Sequence, residues 1–546
     1  MTVAKSAGDA ALLLETPQGG NVAARLSAAI RAAALPGIVD IVPGASTVLV
    51  TFEPGSLNAA DLASIAPLPD AGPTAGAPAE SGATAGIDVV YDGPDLAEVA
   101  RLTRLSPAEV IERHQAARYQ VGWLGFSPGF GYLTGLDPVL AAVPRRDSPR
   151  LTVPAGSVAI AGGLAAVYPA ASPGGWQLLG RTAARLWDES VNPPALLAPG
   201  MTVRFRAVDS LPAGVPPVAS DVTAHRSTAD GGAGGQRWVE VVQPGPLTTI
   251  QDLGRAGLAH LGVPRSGAAD LASLRRANRL VGNDDGAACL EVTLGRLVLR
   301  LNCAATVALT GAPAPMRLTG QPAPDRAAQP EAAAQIPAAP HGTAVEVPAG
   351  TVLRLGAPPA GLRSYLAIDG GFDVPAVLGS RSADLLSGLG PGRLRAGDRL
   401  RLGRPRSRNE NQPPSPPRPD EAPPAEAAML RVMAGPRDDW FTAGALRALR
   451  SGSFLVTADS NRTGLRLAGP PLARARPDEL PSEGVADGSL QVTHDGQPIL
   501  LLADHPVTGG YPVIAVVRRA DLGRAAQLRP GQRVRFSVSR PARGTR

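Results

Sequence analysis

The most regular pattern along the chain is a Gly turn followed by alternating apolar and arginine positions. It occurs four times: PGMTVRF at 199–205, AGTVLRL at 349–355, AGDRLRL at 396–402 and PGQRVRF at 530–536. A period of two sends one set of side chains into a core and the other into water, which describes a half-buried strand. Three copies lie just ahead of a linker-like stretch or the last residues, so three modules are expected to close with the same turn and strand. Other short apolar runs, such as STVLVTF, TVALTG, RSYLAIDGG, GSFLVTA, PILLLAD and PVIAVV, are bounded by Gly and Pro and read as strands as well. Helical periodicity is rarer, in NVAARLSAAIRAA, DLAEVARLTRLSPAEVIERHQAA, ADLASLRRANRLVG and ADLGRAAQL. Ser266 is a candidate N-cap for the third of these, with Gly-Asn as its stop. The pattern predicts a mainly β fold with α+β elements, built as barrels or sandwiches behind a small N-terminal α+β domain.

Four Pro- and Gly-rich stretches punctuate the chain, at 69–86, 209–236, 320–342 and 409–427. They divide 546 residues into blocks of ordinary domain size. The expected organisation is an α+β domain at 1–83, a β module at 87–208, a linker at 209–236, a second β module at 237–405, a Pro-rich spacer at 406–427 and a third module at 428–540. The stretch at 320–342 reads as a loop inserted within a module.

Composition narrows the chemistry. Hydrophobic residues make up 44% and aromatics 3%, so the cores must rest on Leu, Val, Ile and Ala. The net charge of +6 comes almost wholly from arginine, because Lys5 is the only lysine. No basic run with interleaved aromatics accompanies it, so nucleic acid is not the expected partner. A P-loop, a Schiff-base site and a biotin carrier each need a lysine beyond this one. Any phosphate must therefore be held by arginine and backbone N–H groups. Cys289 and Cys303 form no disulfide framework, and the six histidines form no HxxxH pair, so no metal centre is expected. There is no signal-like h-region and no run of 18 apolar residues, which points to a cytoplasmic protein away from membranes.

Several segments carry candidate chemistry. GFSPGF at 125–130 contains G-x-S-x-G, but the residue after Ser127 is Pro128, which has no N–H to give an oxyanion. Ser127 is therefore not read as a nucleophile. Phe126, Tyr132, the adjacent Arg145 and Arg146, and the turn at Gly156-Ser157 lie close in sequence. They read either as turn geometry or as a backbone cradle with an arginine clamp. In SPGGWQLLGRT, Gly174 and Gly175 make a bend, Trp176 covers a barrel end or stacks on a ligand, and Arg181 could face the same mouth. Arg265 and Ser266 beside a helix start would suit an anion. Asp504-His505 beside Gly509-Gly510-Tyr511 is the best acid/base candidate, with a structural histidine as the alternative. His114 reads as a partner for a helix C-terminus.

The segments VYDGPDLAEVA, GFSPGFGYLTGLD, PRR, VPAGSVAIAGG and YPAASPGGWQLLGRT resemble the B component of 5-oxoprolinase, also called allophanate-hydrolase-subunit-1-like or Kip-inhibitor-like. GPLTTIQDLGRAGLAHLGVPRSGAAD, ANRLVGN, CLEVTL, YLAIDGGFDVPAVLGSRSADLL, DSNRTGLRL, LPSEGVADGSLQV and DHPVTGGYPVIAVV resemble its C component, the Kip-antagonist or allophanate-hydrolase-subunit-2-like family. The chain resembles a fusion of the two, within the wider carboxyltransferase-domain group. The resemblance implies three cyclophilin-like barrel modules after the N-terminal domain. It implies an ATP-dependent opening of 5-oxoproline to glutamate with a separate A component of the LamB/YcsF type. ATP and magnesium would be co-substrates, with no tightly bound cofactor. A homo-oligomer is left open.

On these motifs the expected catalytic residues are Asp504, His505, Arg181 and Arg265. The expected substrate- or nucleotide-binding residues in the first half are Phe126, Pro128, Tyr132, Arg145, Arg146, Gly156, Ser157, Gly174, Gly175 and Trp176. In the second half they are Gln251, Asp252, Arg255, Ser266, Asp270, Asn278, Arg381, Arg462, Glu483, Thr508, Gly509, Gly510 and Tyr511. Two departures bear on substrate: Leu164-Ala165-Ala166 stands where the family has Gln-Thr-Gly, and Pro506-Val507 interrupts its His-Gln-Thr-Thr-Gly-Gly-Tyr. The rival expectations are a Kip-like regulator of a sensor histidine kinase and a carboxyltransferase-like module acting on urea or another amide.

Overall fold

A computed structural model describes residues 3–17, 22–57, 61, 83–146, 148–212, 236–320, 335–336, 340–405 and 428–538. Most of the four punctuating stretches, and His225, lie outside the described residues. The fold is mostly β, with a small α+β module at the N-terminus. That module is a four-stranded sheet covered by the helix Val22–Ala33, whose Ala23, Leu26 and Ile30 pack on Leu14, Ile41, Val48 and Val50.

The repeated Gly turns do lead into strands, at Thr202–Ala207, Val352–Leu355, Arg399–Arg401 and Arg533–Val538. In two modules the closing strand lies parallel to the opening one: Thr202–Ala207 on Thr84–Val89, and Arg533–Val538 on Ala428–Ala434. The last module thereby becomes a closed seven-stranded barrel. The module between them differs. Its closing strand, Arg399–Arg401, runs antiparallel to Trp238–Pro244, at the edge of a six-stranded sheet. A five-stranded sheet faces it across a core of Val, Leu and Ile side chains. The helical run at 95–117 is two helices, Leu96–Thr103 and Pro107–Ala116. Arg104 ends the first in the left-handed region at φ 57°, and Ser106 starts the second with a capping box to Glu109 ahead of the proline. His114 is buried in the second helix. Its ring bonds to the Tyr91 hydroxyl at 2.8 Å and packs on Phe205, and burial pushes its pKa down to about 3.

The modules are joined by both apolar and polar contacts. Val263, Val377 and Leu389 of the two-sheet module complete the core of the first β module. Ala7, Ala11, Leu13, Val42, Leu49, Ala259, Ala486 and Val507 form a separate apolar cluster where three modules meet. The turn ending at Gly262 fits into the GFSPGF loop: Gly129 N–H donates to Leu261 O at 3.0 Å. Gly262 has φ +79°, and a Cβ there would stand 2.1 Å from Ser127 O. Asp40 accepts a hydrogen bond from Ala259 N at 3.0 Å across another boundary.

These boundaries can be probed by denaturation. Gly262→Ala forces a Cβ onto backbone in a φ region that L-residues avoid, so it should lower stability to urea by about 1–3 kcal/mol. Unchanged urea denaturation would mean the loop and turn are not in contact. Burial raises the Asp40 pKa from 3.8 to about 6, partly offset by the N–H groups of Ala259 and Gly257. The native state then holds a proton that the unfolded chain has lost, so stability falls as pH rises from about 4 through 6. Asp40→Asn keeps an acceptor for Ala259 and removes that loss. Its stability relative to wild type should rise over this window by at most about 3 kcal/mol, measured by denaturation at pH 4 and 7.

Candidate functional site

The first group of chemical residues is a buried charge network. Arg462 is 2% exposed, Glu291 1% and Asp504 0%. The Arg462 guanidinium donates to both oxygens of Asp504 at 2.8 Å, to Gly267 O at 2.6 Å, and to Glu291. Asp504 also accepts from Ser266 Oγ at 2.8 Å and from Leu385 N at 3.3 Å. Glu291 accepts from Tyr365 Oη at 2.8 Å and from Ala269 N at 3.0 Å. A carboxylate held by a bidentate guanidinium and a hydroxyl has its lone pairs occupied. Asp504 is therefore a link between modules, which corrects its assignment as an acid/base. Ser266 is not a helix N-cap either. Asp270 caps the helix Leu271–Leu280, accepting from Ser273 N at 3.1 Å, while Ser266 sits at φ 53° and spends its hydroxyl on Asp504. Burial, and then the charge of Asp504, push the nearby Asp384 up to about 6.

His505 points elsewhere. It lines a cavity of about 310 Å³ bounded by the N-terminal module, the two-sheet module and the last barrel. Its Nδ1 lies 2.8 Å from Pro506 O, and its Nε2 lies 2.9 Å from Asp487 Oδ1. Both neighbours have acceptor oxygens, an arrangement that favours the imidazolium form, in which the ring donates on both sides. Burial opposes that charge, yet the hydrogen bond and charge of Asp487 hold the His505 pKa above its ordinary value. Arg265, Asp40, Asp270 and Arg519 lie on the same walls, amid Ala7, Ala11, Val42, Ala259, Ala486 and Val507. Among the described residues Arg265 donates to Leu253 O at 3.4 Å, and its charge acts on Asp40 and Asp487. Arg519 pairs with Glu53 at 3.0 Å, and its N–H donates to Asp9 at 3.0 Å.

A third group lies at the seam between the first β module and the last barrel. Phe126, Phe130, Tyr132, Tyr168 and Trp176 are packed together, with Tyr132 stacked on Trp123 at 4.6 Å. The Tyr132 hydroxyl is 3.1 Å from Thr508 Oγ1. Arg145 reaches Ser482 Oγ at 3.4 Å and lies so close to Gly510 that a Cβ there would be 2.3 Å from its Nη1. Gly509 pairs with Glu483, and Glu483 is held by Arg437 at 2.6 Å. Tyr511 lies under the Arg474 guanidinium at 5.9 Å.

The remaining expected residues build the scaffold. Arg181 is 59% exposed and pairs with Asp92 at 2.8 Å, and it does not line the cavity. Its catalytic assignment is corrected: the strand end at 177–181 carries it to an open surface. Arg146, with Arg150, is bound to Asp95 at 2.9 and 2.7 Å rather than clamping a ligand. Gly156 and Ser157 shape a turn, with Gly156 N donating to Tyr168 O and Ser157 Oγ to Pro154 O. Gly174 must lack a Cβ because Tyr168 Oη would be 2.3 Å away; Gly175 O accepts from Arg146 N, and Pro128 is part of the GFSPGF turn. Gln251, Asp252 and Arg255 hold the 377–383 loop, through Ala383 O, Ser380 Oγ and Ser382 respectively. Arg381 donates to Val374 O, and Asn278 to Ala287 O. The sequence reading missed Asp487, Asp40, Arg519 and Glu291. Asp40 and Glu291 had a signal, each being a lone acid inside an apolar strand run.

Residues 2–197 match the family described as "Carboxyltransferase domain, subdomain C and D", and residues 261–538 match "Carboxyltransferase domain, subdomain A and B". The chain is similar to the C subunit of 5-oxoprolinase from Escherichia coli (strain K12), 37% identical over 305 residues, 55% of this chain and 90% of that protein. It is similar to the B subunit of 5-oxoprolinase from Bacillus subtilis (strain 168), 52% identical over 122 residues, 22% of this chain and 50% of that protein. The urea amidolyase of Lachancea kluyveri is 33% identical over 321 residues, 54% of this chain but 17% of that protein. The crystal structure of TTHA0988 superposes with a TM-score of 0.78 at 34% identity, covering 96% of this chain and 99% of that one. The chain therefore belongs to the carboxyltransferase-domain family, as a fusion of parts related to the B and C components of 5-oxoprolinase.

Proposed function

We propose that the chain is the B–C component of an ATP-dependent 5-oxoprolinase, activating 5-oxoproline or a related lactam for hydrolysis to glutamate with a separate A component of the LamB/YcsF type. The supporting observation is the cavity that needs both halves: Asp40 from the first, Arg265, Asp487 and His505 from the second. A lactam resists hydrolysis because its nitrogen leaves poorly as an anion. Phosphoryl transfer from ATP to the amide oxygen releases ADP and gives a cationic, activated carbon. Water then adds to that carbon, and the C–N bond breaks as the nitrogen takes a proton. A second water releases phosphate and glutamate. His505 gives its Nε2 proton to the nitrogen, which takes the place of Asp487 as acceptor there, and Arg265 faces the anionic groups. Magnesium would arrive on the nucleotide: among the described residues no group of three or more His, Cys, Asp or Glu side chains is gathered to hold an ion. The urea amidolyase similarity supports a second reading, carboxyl transfer to an amide.

Mixing the purified chain with a LamB/YcsF-type protein, ATP, magnesium and 5-oxoproline should release glutamate and phosphate. Silence there, with activity towards urea and a carboxybiotin donor, would favour the second reading. His505→Gln should lower kcat by about 100-fold or more, the ordinary contribution of a positioned acid. The alkaline limb of the pH–rate profile should lie above the ordinary histidine value of 6.5, because Asp487 favours the imidazolium. Asp487→Asn should move that limb to lower pH. A limb that stays in place removes His505 from proton transfer.

A further inference from the structure

The seam between the first β module and the last barrel gathers one guanidinium and several hydroxyls. Arg145 carries five N–H donors. Among the described residues they meet only Ser482 Oγ at 3.4 Å and the Glu479 carboxylate at 4.0 Å, the latter 47% exposed. The Arg145 side chain is 27% exposed, so its guanidinium is reachable from solvent. Tyr132, 3% exposed, brings its hydroxyl beside those of Thr508 and Ser482; burial raises its pKa and so keeps it a neutral hydroxyl, with Arg145 close by. Thr508 is 0% exposed and Ser482 5%, so neither hydroxyl is a surface group pointing into water. The indole N–H of Trp123, stacked on Tyr132 and 4% exposed, has no hydrogen-bond partner among the described residues. Gly510 lets Arg145 lie against the backbone, because a Cβ there would be 2.3 Å from its Nη1.

One guanidinium fork and several hydroxyls converging from two modules exceed what a planar carboxylate takes up. They match a tetrahedral oxyanion, whose oxygens accept from several directions. We infer that Arg145, Tyr132, Ser482 and Thr508 form a phosphoryl-binding subsite at this seam, separate in its residues from the His505 cavity. The inference extends the proposed function, because a reaction driven by ATP must hold a transferred or released phosphoryl group. It does not need that function to be tested. The seam joins the two halves, so phosphoryl occupancy would also draw them together.

The test is calorimetric titration of inorganic phosphate into the full chain, with no nucleotide, lactam or partner present. Saturable binding is expected in the wild type. Arg145→Gln should weaken it by about tenfold or more, the loss expected for a charge-assisted contact. Tyr132→Phe, which keeps the ring and removes one hydroxyl, should weaken it by about threefold or more. Arg181→Gln should leave it within about twofold, because Arg181 pairs with Asp92 on an open surface. Acetate at equal concentration should not displace phosphate. Displacement by ADP would assign the group to a nucleotide, and failure to displace would assign it to free or acyl phosphate. No binding by the wild type, full affinity in both Arg145→Gln and Tyr132→Phe, or equal competition by acetate would overturn the inference. If Arg145→Gln fails to fold, as read by circular dichroism, Tyr132→Phe decides alone. A wild type that binds phosphate yet makes no glutamate with the LamB/YcsF-type component would sink the proposed reaction and leave the subsite standing.

Discussion

The arrangement of the second half depends on a guanidinium buried between two carboxylates. Arg462 of the last barrel is shared by Asp504 of the same barrel and Glu291 of the two-sheet module. Taking three charges out of water is costly, and such a group is tolerated only when nearly every donor and acceptor is matched. Here the matching extends outward to Ser266, Tyr365, Ala269, Gly267 and Leu385. Loss of one partner strands the others, at a cost of about 3–5 kcal/mol for a buried pair. The network is therefore a strict constraint on how the two modules sit against each other, and it explains the left-handed backbone at Ser266.

That constraint positions the segment that follows. From Asp504 onward, successive residues face different neighbours. Asp504 enters the charge network, His505 the cavity, Val507 the apolar cluster shared by three modules, and Thr508 and Gly510 the seam with Tyr132 and Arg145. Pro506 also has a role, since its carbonyl lies 2.8 Å from Nδ1 of His505 and so leaves Nε2 facing Asp487. One short segment thus couples these environments, and a shift in any one is felt by the others.

This geometry shows what could be read in advance. The strands were legible because a period of two and a Gly turn are local signals, and the four repeats became strands. The helix break at Pro107 was equally local, although the run reads as continuous until the left-handed Arg104 is seen. Motif position pointed to His505 and Arg265, which line the cavity, and to Tyr132, Arg145 and Thr508, which meet at the seam. It did not separate them from Asp504, Arg181, Asp252 or Arg255, because whether an arginine binds a ligand or a carbonyl is settled by partners distant in sequence. Asp487 was hidden for the same reason: its value comes from a histidine 18 residues away in the chain. Leu164-Ala165-Ala166 read as lost polar groups. In the structure Ala166 is part of the apolar packing beneath the Tyr132 and Trp176 rings, with Leu164 packed against it, which removes hydrogen-bonding capacity from that side of the seam.

The near absence of lysine then becomes consistent with the design. Lys5 pairs with Glu15 and Asp439 at the surface, at 3.4 and 3.7 Å. Every permanently charged cation buried in the second half is therefore an arginine, whose charge survives burial where an ammonium would shed its proton. A guanidinium can also satisfy several acceptors in one plane, which is how Arg255 and Arg462 tie loops together. Arg145 differs from both because its partners are few and its neighbours are hydroxyls. An arginine that is open to solvent and has few protein acceptors keeps donors to give to an oxyanion, and charge-assisted contacts of that kind are the stronger ones.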